Sequence, residues 1–173
     1  MTIRLALQGG FGEKGRTSIL VEAEGMRVMF DAGIKVGAGG EDYHPRLACP
    51  AAGIDALFVT HAHEDHVGAL LWLAGQGHDG PVWMSRETRD EMEATLRQYA
   101  WPGDLVHLPA VLPRIRILAA GDEIDLGAMR VGAGHTGHVA GGLWFSVVAG
   151  GVRLCYLGDV VPAISGPKRP QDH

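Results

Sequence analysis

The sequence is short of several things, and each shortage removes a class of protein. Cysteine occurs only at Cys49 and Cys155. Two are too few for a disulfide scaffold, and neither has a metal-type Cys/His spacing. Both read as small buried hydrophobes in a reducing compartment, which points to the cytoplasm. Every apolar run falls far short of the roughly 20 residues a transmembrane helix needs, so no membrane partner is expected. The opening "MTIRLALQGG" has one charge and a brief apolar run before its glycines, a strand rather than a signal peptide. Excess positive charge is missing too: the net charge is −5. That excludes a broad electrostatic footprint for nucleic acid, but not an anionic substrate held through bound metal. Aromatic residues make up only 6%, and no basic-aromatic tract stands out.

Glycine, by contrast, is plentiful, with 26 residues, several in pairs that mark tight turns between short elements. With 46% hydrophobic and 20% charged residues, the chain reads as one globular domain over 1–173. Alternation and apolar runs predict strands at 3–8, 18–23, 27–31, 56–60, 82–84, 114–118, 123–126, 129–131, 143–149 and 152–157. Helices are predicted at 67–74 and from the cap Ser85 to about residue 100. In the second, Met92, Leu96 and Tyr99 share a face, and Pro102-Gly103 stops it. Residues 33–53 and 160–173 read as loops. Strands outnumber helices without regular βαβ alternation, so the fold class is α+β.

Gly10-x-Gly12-x-x-Gly15 matches a dinucleotide fingerprint. That motif works only where a helix begins, presenting its N-terminus to a pyrophosphate. Here an alternating, strand-like stretch follows, so the glycines read as a loop.

The chemistry gathers in "THAHEDHVGAL", where His61, His63, Asp65 and His66 lie between two apolar segments. A solvated turn does not call for three imidazoles, whereas imidazole and carboxylate together are what zinc prefers. His61 and His63, two apart on a chain leaving a strand, point to one side. Asp65 and His66 come a turn later, at the mouth of the predicted helix, and face a second position, so one loop can serve two ions. Further candidates are His135 and His138 in "GAGHTGHVAGG" and Asp159 in "LCYLGDV". An acid ending an apolar strand needs a partner or a metal, and Asp31 in "VMFDAG" is placed likewise. His44, His78, His107 and His173 match no pattern and read as surface residues.

This set resembles the metallo-β-lactamase fold superfamily, most closely its β-CASP, ribonuclease J-like RNA-processing branch. "GGFGEKGR" is similar to the ribonuclease J opening loop and "THAHEDHVGALLWL" to its metal loop. "GAGHTGHVAGG" is similar to the loop of relatives that include the cleavage and polyadenylation endonuclease. The resemblance implies a metallo-β-lactamase-type αββα sandwich, with about the first half present. It implies two zinc ions, manganese being the alternative. His61, His63 and His138 would hold one; Asp65, His66 and a bridging Asp159 would hold the other. Asp31 would orient the metal loop and His135 support the ligands from outside.

The implied reaction is attack of a zinc-activated hydroxide on a phosphodiester in RNA processing, with Asp65 orienting the hydroxide and taking its proton. Two other readings stand beside it: a hydrolase of a small ester, thioester or lactam, and a truncated metal-binding module without turnover. The family's second half, with a further histidine ligand, and the β-CASP insert are expected to be absent. The expected partners are therefore RNA or a small-molecule substrate, together with a second copy or a complementing C-terminal segment against the exposed sheet edge.

Overall fold

A computed structural model describes residues 2–161. The predicted loop beyond residue 161, with His173, lies outside the described residues. β1 (Ile3–Gly9), β2 (Ser18–Ala23) and β3 (Met26–Phe30) form an antiparallel meander. β3 then pairs in parallel with β4 (Ala56–Phe58), β4 with β5 (Val82–Met84) and β5 with β6 (Ile115–Ile117). Parallel neighbours need crossovers, and these carry the helices. α1 (Glu64–Val67) and α2 (Leu70–Gly75) lie between β4 and β5. α3 (Arg86–Tyr99) and α4 (Leu108–Val111) lie between β5 and β6. The second sheet is antiparallel, in the order β10-β9-β8-β7, from β7 (Glu123–Asp125), β8 (Arg130–His135), β9 (Leu143–Ala149) and β10 (Val152–Tyr156).

Strand alternation sorts the core into two layers. Met29, Leu57 and Met84 face the helices and meet Leu70, Leu73, Met92 and Leu96. Val28, Phe30 and Phe58 face the second sheet and meet Val131, Phe145 and Val147. Phe30 and Phe145 have ring centroids 5.6 Å apart across that interface. The inner strands are covered on both faces, which is why they read as unbroken apolar runs rather than alternating ones. The three layers are helices, sheet, sheet: the expected α+β architecture, in its αββ part.

Among the described residues, the sandwich is open along one side. Leu5 and Leu7 of β1 lie on the inter-sheet side with Ile3, yet are 50% and 59% exposed. Among the described residues, β10 has β9 as its only neighbour.

Several expectations fail in instructive ways. The first helix starts at Glu64, not at residue 67, and α1 and α2 are separate segments around Gly68-Ala69. Residues 104–114, unassigned from sequence except Arg114, which was expected to open a strand, form a run of short helical turns with Pro109 and Pro113 in first-turn positions. Proline fits there because the missing N–H has no partner in a first turn, but such short turns leave no periodic signal. β8 reaches His135 because Gly134 lets the Trp144 ring cross where a Cβ would sit. His44 and His78 are buried, not superficial: His44 stacks on Trp72, and His78 sits where the Gly80 backbone closes on its ring. Cys49 is half-buried and Cys155 exposed. Cys155 alternates with the inward Leu154 and Tyr156, so it points away from the core.

Candidate metal centre

The parallel strands of the first sheet end along one edge, the usual place for ligands in such sheets. After β4 the chain runs extended through Val59 and Thr60 to His61, Ala62 and His63, and α1 begins at Glu64. His61 Nε2 lies 3.0 Å from His63 Nδ1. α1 turns His66 so that its Nε2 is 3.4 Å from Asp159 Oδ1 and 4.0 Å from Asp65 Oδ1. The β8–β9 loop supplies His138, whose Nε2 is 3.5 Å from Asp159 Oδ2. The two oxygens of Asp159 thus address different imidazoles, the placement a bridging carboxylate requires. One donor atom from each of His61, His63, His138 and Asp159 falls within 4.8 Å of the others.

Asp31 holds this arrangement from behind. It is fully buried and adopts φ +58°, the left-handed region that costs a non-glycine residue energy. Its carboxylate recovers that cost in hydrogen bonds. Thr60 N–H donates to Oδ1 at 2.7 Å and the Thr60 hydroxyl to Oδ2 at 2.8 Å. His66 Nδ1 and the Tyr156 hydroxyl donate to Oδ2 at 2.7 and 2.8 Å. A carboxylate only accepts, so His66 carries a proton on Nδ1, and it is in the neutral ring that Nε2 holds the lone pair. The Thr60 hydroxyl, donating to Asp31, accepts from His61 Nδ1 at 3.0 Å. That frees His61 Nε2 in the same way. One carboxylate sets the tautomers of two imidazoles, directly and through a threonine.

Burial, with His66 next in weight, pushes His61 down to about 4. Burial also opposes charge on His66, but Asp31, Asp65 and Asp159 outweigh it and raise that imidazole to about 9. Burial, followed by Asp31, holds the Tyr156 phenol protonated well above its ordinary range.

Two glycines let the pieces close. A Cβ on Gly33 would run into the Asp65 carbonyl, and one on Gly158, at φ +56°, would sit 2.9 Å from the Thr60 side chain. The Asp31 loop therefore lies against α1, and the Asp159 turn against Thr60, at distances only glycine permits.

Residues 11–171 match the Metallo-beta-lactamase superfamily. The chain belongs to that superfamily. It is 31% identical to the "Transcription termination factor FttA" of Methanothermobacter thermautotrophicus, over 90% of this chain and 27% of that protein. It is likewise 31% identical to "Ribonuclease TTHA0252" of Thermus thermophilus, over 91% of this chain and 38% of that protein. The chain thus spans roughly a quarter to two fifths of these two curated relatives. Among solved structures, the metallo-beta-lactamase fold protein YhfI of Bacillus subtilis superposes with a TM-score of 0.61 at 15% identity, covering 91% of this chain and 62% of that one. That likeness shows a shared fold.

In this metallo-β-lactamase domain the donor set fits a divalent cation on the structure's own terms. His138 Nε2 is buried and has no hydrogen-bond partner among the described residues. An orphaned imidazole nitrogen beside three other donors is a costly arrangement unless an ion occupies the middle. Asp65 and His66 are not among those four donors, though His66 Nε2 approaches Asp159; His135 ends β8 with its side chain exposed, away from them. β8 pairs His135 with Leu143, and the next residue, Thr136, turns inward instead. The Thr136 hydroxyl accepts from His138 N–H at 3.2 Å, the supporting role expected of His135. Thr60 and Tyr156 were not foreseen. The only signals were a hydroxyl immediately before the first histidine and a tyrosine three before Asp159.

Proposed function

We propose that this domain is the N-terminal half, over 1–173, of a zinc-dependent hydrolase that cleaves phosphodiesters in RNA. The observation that carries the reading is the convergence of His61, His63, His138 and Asp159, with His138 Nε2 lacking a hydrogen-bond partner among the described residues. The relatives named above, a transcription termination factor and a ribonuclease, favour RNA as substrate and the β-CASP branch as the family within the superfamily.

In this proposal His61, His63 and His138 hold one ion and Asp65 and His66 the second, with Asp159 between them; manganese is the alternative metal. Bound zinc supplies Lewis acidity and eases ionisation of a water near neutral pH. The chain's own groups do the rest. Asp65, partly exposed beside His66 Nε2, takes the proton of the attacking water. Asp31 keeps the proton of His66 on Nδ1, so Nε2 stays a donor to the ion. Thr60 does the same for His61. Complementation across the open side, by a second copy or by a C-terminal segment, supplies the groups that complete the site.

The test is elemental analysis and hydrolysis of single-stranded RNA, with and without chelator. Zinc or manganese should co-purify, and chelator should abolish cleavage. His63→Ala combined with Asp65→Ala should remove both metal and activity. His138→Ala should release metal, while His135→Ala retains it; equal metal content in those two single variants sinks the ligand assignment. The net charge of −5 favours a second reading, hydrolysis of a small ester, thioester or lactam. Turnover of a chromogenic lactam or thioester, with no RNA cleavage, would establish it.

A further inference from the structure

A second cavity, of about 570 Å³, shares no residue with the metal centre. His44, Trp72 and Trp101 form its aromatic lining, and Arg46, Gln76 and Glu41 are its other polar side chains. The rings are organised before any ligand arrives. His44 lies flat on Trp72, centroids 4.5 Å apart and planes 5° apart. Trp101 meets the edge of His44 at 4.7 Å and is backed by Tyr43, stacked at 5.5 Å. Tyr43 is itself fixed by its hydroxyl, which donates to the Tyr99 carbonyl at 2.7 Å. Yet Trp101 remains 43% exposed. A rigid aromatic wall left open to solvent, in a chain with only 6% aromatic residues, is prepared for a flat partner. Burial holds the His44 imidazole down at about 4, so the wall is neutral at physiological pH.

The polar groups narrow the ligand class. The Gln76 amide offers both a donor and an acceptor, which suits the edge of a base. Among the described residues, the Arg46 guanidinium is tied only by an exposed pair to Asp42 at 2.8 Å, a weak attachment that an anion can displace. The volume lies within the roughly 300–1,000 Å³ of small-ligand sites.

The loop after β3 links this cavity to the metal centre. Lys35 and Val36 line a separate cavity of about 280 Å³ with Lys14 and Asp65. A few residues on, the stretch from Gly40 to Leu47 lines the aromatic cavity. Lys35 is paired with Glu13 at 2.6 Å, and the loop that carries it runs on to line the aromatic cavity.

We propose that the aromatic cavity is a nucleobase site, taking a base of single-stranded RNA or of a free nucleotide against Trp101, with its phosphate toward Arg46. This deepens the ribonuclease reading and rests on it for the source of the base. Stacking on an aromatic side chain is sequence-tolerant, so the site would anchor the strand without selecting its sequence.

The test uses the full chain after metal removal, so that nothing is hydrolysed. AMP should quench tryptophan emission saturably, and ribose 5-phosphate should not. Trp101→Ala should weaken both AMP and a labelled single-stranded RNA on the order of ten-fold, and Trp101→Phe should restore most of the affinity. Arg46→Gln should weaken AMP but leave adenosine unchanged. An unaltered thermal midpoint in Trp101→Ala separates lost stacking from lost folding. Absence of saturable quenching by AMP, or equal affinities in wild type and Trp101→Ala, overturns the proposal. The two readings fail separately. AMP binding by a protein that, metal-loaded, cleaves no RNA keeps the base site and removes the ribonuclease. RNA cleavage without AMP binding does the reverse.

Discussion

Asp31 is the residue on which the site's precision depends. Its carboxylate takes hydrogen bonds from Thr60, His66 and Tyr156 while its backbone sits in the left-handed region. Asp31→Asn keeps the shape but turns one acceptor into a donor facing other donors. Metal affinity should fall by about 10- to 100-fold, as for partners of ligating imidazoles generally; zinc titration calorimetry measures it. Tyr156→Phe removes one bond of this set and should give a smaller loss in the same titration, and an affinity equal to wild type would deny Tyr156 a positioning role. This scale also marks what the sequence reveals. His61, His63, His66, His138 and Asp159 were legible because residue type alone announces metal chemistry. Thr60 and Tyr156 were not, because a hydroxyl in a strand is ordinary until a buried acid is seen opposite it. His44 and His78 were misread because nothing local says that Trp72 or the Gly80 backbone will cover them.

At the scale of elements, the site depends on close backbone approach. Gly33 lies against the Asp65 carbonyl, so Gly33→Ala must push the Asp31 loop off α1. The expected cost exceeds about 3 kcal/mol, on the order of 10 °C in Tm for a chain this size; calorimetry against wild type decides it. The loop holding His44 carries a second signature. The folded imidazole is held at about 4 against an ordinary 6.5. Between those values the unfolded chain binds a proton that the folded chain refuses, so stability falls as pH drops through that window. Urea unfolding at several pH values should show a shallower fall in His44→Phe than in wild type, and parallel slopes would contradict the assignment. Most strands and α3 were legible as elements because periodicity, a serine cap and glycine pairs mark them locally. The turns across 104–114 and the last residues of β8 were not, because only packing and cross-strand pairing sustain them.

The described molecule is asymmetric: the inner strands of the first sheet are covered on both faces, but among the described residues the sandwich is open beside β1 and β10. Leu5 and Leu7 are half exposed on a face whose neighbours are core, and an uncovered strand edge invites pairing. The 173-residue chain should therefore associate in solution. Light scattering should find more than the 18.4 kDa of one copy, and Leu7→Lys should shift the population toward that mass. A stable wild-type monomer contradicts this expectation. The layered fold was legible from element order and the family resemblance. The exposed Cys155 was not, since its outward direction follows from which face of β10 meets the core.

The hydrogen bond from Tyr156 to Asp31 joins residues 125 positions apart, and this separation sets a timetable for synthesis on the ribosome. His61 and His63 emerge early, but Asp159 and the phenol that steadies Asp31 emerge only with β10. A nascent chain stopped before that strand holds an unfinished, unlatched set of imidazoles. The donor set is thus assembled late in the life of the new polypeptide, once the second sheet has closed over the first.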